Sequence, residues 1–288
     1  MMVIRNNGLL LMVLASIVYS GLNILLKVSL RRFSWAEVVF FVNLSSSIAA
    51  AVALRRRNRA VVGPRVRLLM WRGLFGFLGV STYYFTMSRL TLADTAILNK
   101  LSTVFVMLFA YFLVGERLWP AHVGVLALSV IGVYNIVQPQ WQLAPLAALT
   151  GLASAAFAGM AYTLVKLLTA DHDPLQIVFA YSASCAVLIL PVLPWTFRCP
   201  SLAELLLLTA AGGLSTLGQG LMSSAYAHGS PTPTSIASYS VVLFSAVWGY
   251  LFFNEVQNPQ AIAGSVTVLA ALVLLPLIPA RQQASRRV

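Results

Sequence analysis

Acidic side chains are almost missing from this 288-residue chain. Seven Asp and Glu stand against nineteen Lys and Arg, and charges of both signs make up only 9% of the residues. A soluble domain carries about 25% charged residues, so there is too little charge here to coat a water-facing surface of this size. That excludes a soluble enzyme, and with 59% hydrophobic residues it also excludes a disordered chain. The net charge of +12 does not signal nucleic acid, because the basic residues fall between long apolar runs and there act as topology determinants. Cys185 and Cys199 are too few for a disulfide framework, and Cys185 reads as a small packing residue. His122, His172 and His228 all stand near the ends of apolar runs, without metal-ligand spacing. Neither a metal nor a cofactor is expected.

What the chain has in abundance is apolar runs. A helix crosses the hydrocarbon with about 20 apolar residues, and ten segments qualify: Gly8–Leu30, Trp35–Leu54, Leu68–Ser88, Asp94–Val114, Pro120–Val137, Leu146–Leu168, Pro174–Trp195, Leu202–Ala227, Thr232–Phe253 and Pro259–Ile278. The runs are continuous rather than alternating, which excludes a membrane β-barrel. Arg5 ahead of an apolar run imitates a signal peptide, but no small-residue cleavage site and soluble domain follow, so this reads as the first span. The connections are too short to hide another domain.

Basic residues orient the spans. Arg5, the six arginines from Arg55 to Arg67, Arg117, Lys166, Arg281, Arg286 and Arg287 fall on one side, and only Lys27, Arg31, Arg32, Arg89 and Arg198 on the other. The positive-inside rule then expects both termini in the cytoplasm, in a multi-pass protein of the cytoplasmic (inner) membrane.

Shifted by 139 positions, the chain partly overlays itself. Lys27 meets Lys166, Gly73 meets Gly212, and Gly79 meets Gly218. Thr95 meets Thr234, Glu116 meets Glu255, and Pro120 meets Pro259. The offset carries five spans, an odd number, so the second half enters the membrane upside down. The expected fold is all-α and integral to the membrane, with ten transmembrane helices as two inverted-topology five-helix repeats, 1–139 and 140–288. Such repeats form a substrate site at the midplane between them.

The stretch from Leu92 to Tyr134, LADTAILNKLSTVFVMLFAYFLVGERLWPAHVGVLALSVIGVY, resembles the signature repeat of the EamA family, within the drug/metabolite transporter superfamily. Ser230 to Gly264, SPTPTSIASYSVVLFSAVWGYLFFNEVQNPQAIAG, resembles its second copy. The resemblance covers essentially the whole chain. It implies export or exchange of small metabolites, such as amino acids and related amphipathic solutes, by alternating access around a central cavity. Thr103 stands where many members have proline.

Glu116 and Glu255 each precede by four residues a proline that opens the next helix. Each is either a structural carboxylate at a helix N-terminus or a proton-coupling group. Under inverted topology they lie on opposite faces, so they cannot share one site. Lys27 then lies on the face of Glu255, and Lys166 on the face of Glu116. Two symmetry-related ion pairs are expected from this, Lys27–Glu255 and Lys166–Glu116, serving as inter-repeat ties or gates.

An ionisable residue within a span marks a functional site by default, and Lys100 is the case singled out. It lies about 9 Å into its span and either holds an anionic group or snorkels outward. Asn99 and Lys100 overlay Ser238 and Tyr239, and Asn23 overlays Tyr162. With Tyr19, Tyr83, Tyr84 and Gln219 these are the expected substrate-binding residues. Gly73, Gly76 and Gly79, answered by Gly212, Ser215 and Gly218, either allow close packing or let helices slide. Trp248 is expected to pack or to face lipid.

Two other classes remain as alternatives: an intramembrane enzyme, for which no deep Asp, Glu or His supplies the machinery, and a passive channel, for which no carbonyl filter or charged ring is visible. The expected partners are a small-molecule substrate and the lipid bilayer, not nucleic acid, in a monomer or homodimer.

Overall fold

The computed structural model of the chain describes residues 2–89, 98–116, 118–137, 145–253 and 259–274. Their regular structure is helical throughout. In chain order the elements are α1 (Met2–Leu30), α2 (Trp35–Arg56), α3 (Val66–Arg89), α4 (Ser102–Phe109, continued by the π-helical turn Ala110–Val114), α5 (Pro120–Val137), α6 (Pro145–Leu168), α7 (Pro174–Leu188), α8 (Leu202–His228), α9 in two pieces (Pro231–Ala237 and Ser240–Phe253), and α10 (Pro259–Leu274). Among the described residues, four segments, 7–30, 35–56, 149–168 and 202–228, are long and apolar enough to cross a membrane.

Local chemistry explains the boundaries. Ser34 with Glu37, Asp173 with Gln176, and Ser201 with Glu204 form capping boxes at the starts of α2, α7 and α8. In each, side chain and backbone satisfy each other's unpaired groups. Pro174 and Pro231 open α7 and α9, where a missing N–H costs nothing. The π-helical turn of α4 stops at Gly115, which takes the left-handed conformation at φ 71°, a region glycine enters without a Cβ penalty.

Three expected spans differ from what forms. The seventh runs as helix only to Leu188, followed by turns and a short 3-10 segment, Leu193–Trp195. Pro191 and Pro194 fall in that stretch, and a helix ends before a residue that cannot donate its N–H. The fourth is interrupted at Leu101, and the ninth at Ser238 and Tyr239. The Asp94–Ile97 start of the fourth expected span and the end of the tenth, at Ile278, lie outside the described residues. So do Arg117 and the three tail arginines.

Large apolar side chains stand on the outside of the bundle as well as in its core, and polar groups bond to one another between helices. Ser46 of α2, Ser182 of α7 and Thr216 of α8 meet through hydroxyls, with Ser46 Oγ 3.0 Å from Ser182 Oγ and 2.9 Å from Thr216 Oγ1. Ile48, Met70, Leu149, Val187, Leu206 and Val273 are exposed on the outside. In water such a surface would be costly; in hydrocarbon it is matched, and polar groups are driven to bond between helices.

The pairings follow a rule. α1 packs on α8 and α3 on α6; α2 packs on α8 and α3 on α7; α1 meets α9 and α4 meets α6; α2 pairs with α7, and α5 with α10. Exchanging every helix for the one five places away returns the same pairings.

The small-residue stripes lie at close approaches. A Cβ on Gly212 would lie 2.5 Å from Ser45 Cβ and 2.8 Å from the Val42 carbonyl of α2, whereas Gly213 has open space. Gly212→Leu should therefore force α2 and α8 apart and destabilise by about 1–3 kcal/mol or more, while Gly213→Ala should be neutral. Thermal unfolding in detergent checks this; equal effects at the two positions would contradict the close approach.

Candidate functional site

A cavity of about 170 Å³ lies among α1, α3, α6, α7 and α8 and the interrupted α4 and α9. Of the ten expected substrate-binding residues it is lined by Tyr19, Asn23, Tyr83, Tyr84, Asn99, Lys100, Tyr162, Gln219 and Ser238. Tyr239 is fully buried behind it. Ser16, Ser154, Ser215, Tyr181 and Tyr226 complete much of the polar wall. Tyr162 stacks on Tyr226 with ring centroids 6.2 Å apart, and the Tyr19 hydroxyl reaches Met222 Sδ at 3.7 Å.

The two interrupted helices hold each other. At the break in α4 the backbone tightens, with Val104 N bonded to Leu101 O at 2.9 Å. The carbonyl of Lys100 accepts the Tyr239 hydroxyl at 2.9 Å. At the break in α9, Val242 N turns to Tyr239 O and Ser238 O keeps a bond from Val241 N at 3.2 Å. The Lys100 ammonium donates to that same Ser238 carbonyl at 2.9 Å and lies 5.3 Å from the centre of the Tyr239 ring. Positions 100 and 239 are equivalents under the 139-residue offset, so each helix sends the side chain at its break to a carbonyl at the other's. Lys100 therefore neither snorkels outward nor stands free. The Thr103 hydroxyl accepts from Ser235 Oγ at 3.1 Å.

A second polar knot joins the end of the α4 π-helical turn to the connection between α8 and α9. The buried carboxylate of Glu116 accepts from the N–H of Thr232 at 3.1 Å and from its hydroxyl at 3.0 Å. The Lys166 ammonium donates to the carbonyls of Tyr226 and Gly229, both at 2.9 Å. The expected Lys166–Glu116 pair thus meets indirectly, through the Tyr226–Thr232 turn between α8 and α9, and the two charges remain near enough to attract. Burial raises the carboxyl pKa of Glu116 above its ordinary value, opposed by the Thr232 bonds and by Lys166. Glu255 lies outside the described residues, so the Lys27–Glu255 pair keeps the status of an expectation. Trp248 does more than pack: its indole N–H donates to Ser20 Oγ at 2.8 Å, joining α9 to α1.

The residue that sequence reasoning passed over is Arg72. It is 1% exposed, on α3, and lines the cavity. Its guanidinium lies 4.4 Å from the centre of the Tyr181 ring, and Nη2 donates to Gln219 Oε1 at 3.3 Å. A Cβ on Gly76 would collide with Arg72 Nη1 and the Tyr181 ring, so the middle glycine of the α3 stripe makes room for the arginine. The signal was present: the rule that singled out Lys100, a charge within a span, applies equally to Arg72.

The EamA-like transporter family matches this chain twice, over residues 6–138 and 145–277. The chain belongs to that family. It is 34% identical over 271 residues to the pseudopaline exporter CntI of Pseudomonas aeruginosa, covering 93% of this chain and 95% of the relative. It is 25% identical over 268 residues to an S-adenosylmethionine uptake transporter of Rickettsia bellii, covering 91% of each. A solved protein crystal structure superposes with a TM-score of 0.83 over 98% of this chain and 100% of its own, at 17% identity, so the fold is shared. This EamA-like protein is a transporter rather than an enzyme.

Two outcomes follow. Tyr239→Phe and Lys100→Met each remove a donor from a carbonyl at a helix break, and each should lower unfolding free energy in detergent by about 1–3 kcal/mol. A Lys100→Met protein as stable as the parent would contradict the clasp. Because the folded protein holds the Glu116 proton more tightly than the unfolded chain, its share of stability is full at low pH and falls as pH rises through the raised pKa. Glu116→Gln should flatten that fall in thermal unfolding as pH rises above the ordinary glutamate value of about 4; an unchanged slope would contradict it.

Proposed function

We propose that this EamA-like protein is a secondary transporter that exports or exchanges small amphipathic metabolites across the cytoplasmic membrane, by alternating access around the cavity. The observation that carries the reading is the paired interruption of α4 and α9 at equivalent positions beside one polar cavity. Interrupted helices at a repeat interface are the architecture in which secondary transporters bind solutes.

The halves are read as inverted repeats. Two features support this: the exchange rule among the helix pairings, and the fact that α1 begins where α6 ends. Gly8, near the start of α1, lies against the Ala225–Gly229 turn, and Lys166, near the end of α6, bonds to the same turn. Rocking one half against the other around the cavity would expose it to each side in turn. The Glu116–Thr232–Lys166 knot closes the end that carries most of the basic residues, which the positive-inside rule assigns to the cytoplasm. In this state it is a closed gate.

Tyr19, Asn23, Tyr83, Tyr84, Asn99, Tyr162 and Gln219 would supply ring faces and hydrogen bonds to an amphipathic solute, with Lys100, Ser238 and Tyr239 holding the broken helices in place. The solutes for which the two relatives are named, pseudopaline and S-adenosylmethionine, are natural first probes alongside amino acids.

Counterflow in proteoliposomes tests this. Unlabelled solute inside should accelerate uptake of its labelled form, and Asn23→Leu or Tyr162→Leu should cut the initial rate by about tenfold or more. Unsaturable flux without trans-stimulation would mean a passive pore.

A further inference from the structure

The geometry points to a carboxylate seat: Arg72, oriented by Gln219, binds the carboxylate of the solute, so the cavity selects amphipathic carboxylates. This rests on the transporter reading and narrows it to a substrate class.

The guanidinium of Arg72 is a buried charge that the protein leaves half used. Nη2 makes one long bond to Gln219, while Nε and Nη1 have no partner within the protein. Arginine cannot shed its proton to escape burial, and a buried charge without a counter-charge costs several kcal/mol or more. The described acids are all engaged elsewhere. Glu37 caps α2 and accepts from Arg198 N. Glu116 holds Thr232. Asp171 pairs with Arg65 at 2.8 Å. Asp173 caps α7. Glu204 caps α8 and pairs with Arg198 and Arg32. None of these lines the cavity.

The cavity's other cation, Lys100, is committed to the Ser238 carbonyl. A wall whose permanent charge is positive and which has, among its described residues, no negative one favours an anion from solution. Carboxylate matches a guanidinium edge in shape and accepts two parallel N–H bonds. The remaining wall determines what the carboxylate is attached to. Tyr19, Tyr83, Tyr162 and Tyr226 offer aromatic faces, and about 170 Å³ is close to the engineered cavity volume of roughly 150 Å³ that admits a benzene ring.

The test compares acids with their neutral amides on the purified full-length protein in detergent at one fixed chloride concentration. The probes are 3-phenylpropanoate and indole-3-acetate against 3-phenylpropanamide and indole-3-acetamide, read as shifts in melting temperature. The acids should stabilise at concentrations about tenfold or more below the amides. Arg72→Gln should abolish that difference, and Arg72→Lys should keep a weaker preference for acids. Amides that bind as well as acids, or an acid preference that survives Arg72→Gln, would overturn the seat. Should Arg72→Gln fail to fold, Gln219→Leu serves: it should weaken the acids about three- to tenfold more than the amides, and equal weakening of both would overturn the seat. The two readings fail separately. Acid-blind binding with solute counterflow removes the seat and keeps the carrier, whereas acid-selective binding without transport of any solute removes the carrier and keeps the seat.

Discussion

A peptide carbonyl in hydrocarbon has no water to bond, and the interrupted helices α4 and α9 meet that constraint by satisfying each other. Lys100 of one reaches the Ser238 carbonyl of the other, and Tyr239 returns a hydroxyl to the Lys100 carbonyl. Much else depends on this exchange. Without it each break would leave a poorly satisfied carbonyl beside the cavity, and the favoured remedy would be a continuous helix that fills the space. With it, two kinked helices stand beside a polar chamber with their short N-terminal arms fixed. The same exchange joins the two halves of the chain, because each donor and its acceptor come from different halves.

The sparse charges divide into two kinds. Several at the ends are capped or paired: Glu37, Asp173 and Glu204 in capping boxes, Arg65 with Asp171, Arg198 with Glu204. Among the described residues, the charges beside the cavity are cations only. A chain with so few acids places most of those described at helix starts, Asp171 being paired with Arg65 instead, and leaves the cavity wall without a described acid. In a low-dielectric setting that imbalance is a strong bias on what can enter.

Much of the architecture was legible in the sequence because membrane spans obey few rules. Apolar length set the ten expected segments, and several starts match to the residue, as at Trp35 and Pro120. The 139-residue offset put the cavity candidates at equivalent depths, and Asn23, Tyr162, Asn99 and Gln219 do line one chamber. What was not legible depends on pairing across space. The break at Leu101 has no proline or glycine to announce it; it exists because Tyr239 can serve the exposed carbonyl. The partner of Glu116 was sought among lysines of matching sidedness, but the Thr232 backbone is nearer and donates directly. Arg72 was legible too, as a charge inside a span, but was not taken as a candidate for the site.

The most direct measurement is access to a cysteine at Ser215, a cavity residue of α8, in a background without Cys185 and Cys199. Membrane-impermeant thiol reagents are applied from each side of sealed vesicles of known orientation. A cavity that opens alternately predicts labelling from both sides, with substrate shifting the balance between them. Labelling from one side alone under every condition, or from neither, would contradict an alternately open central cavity.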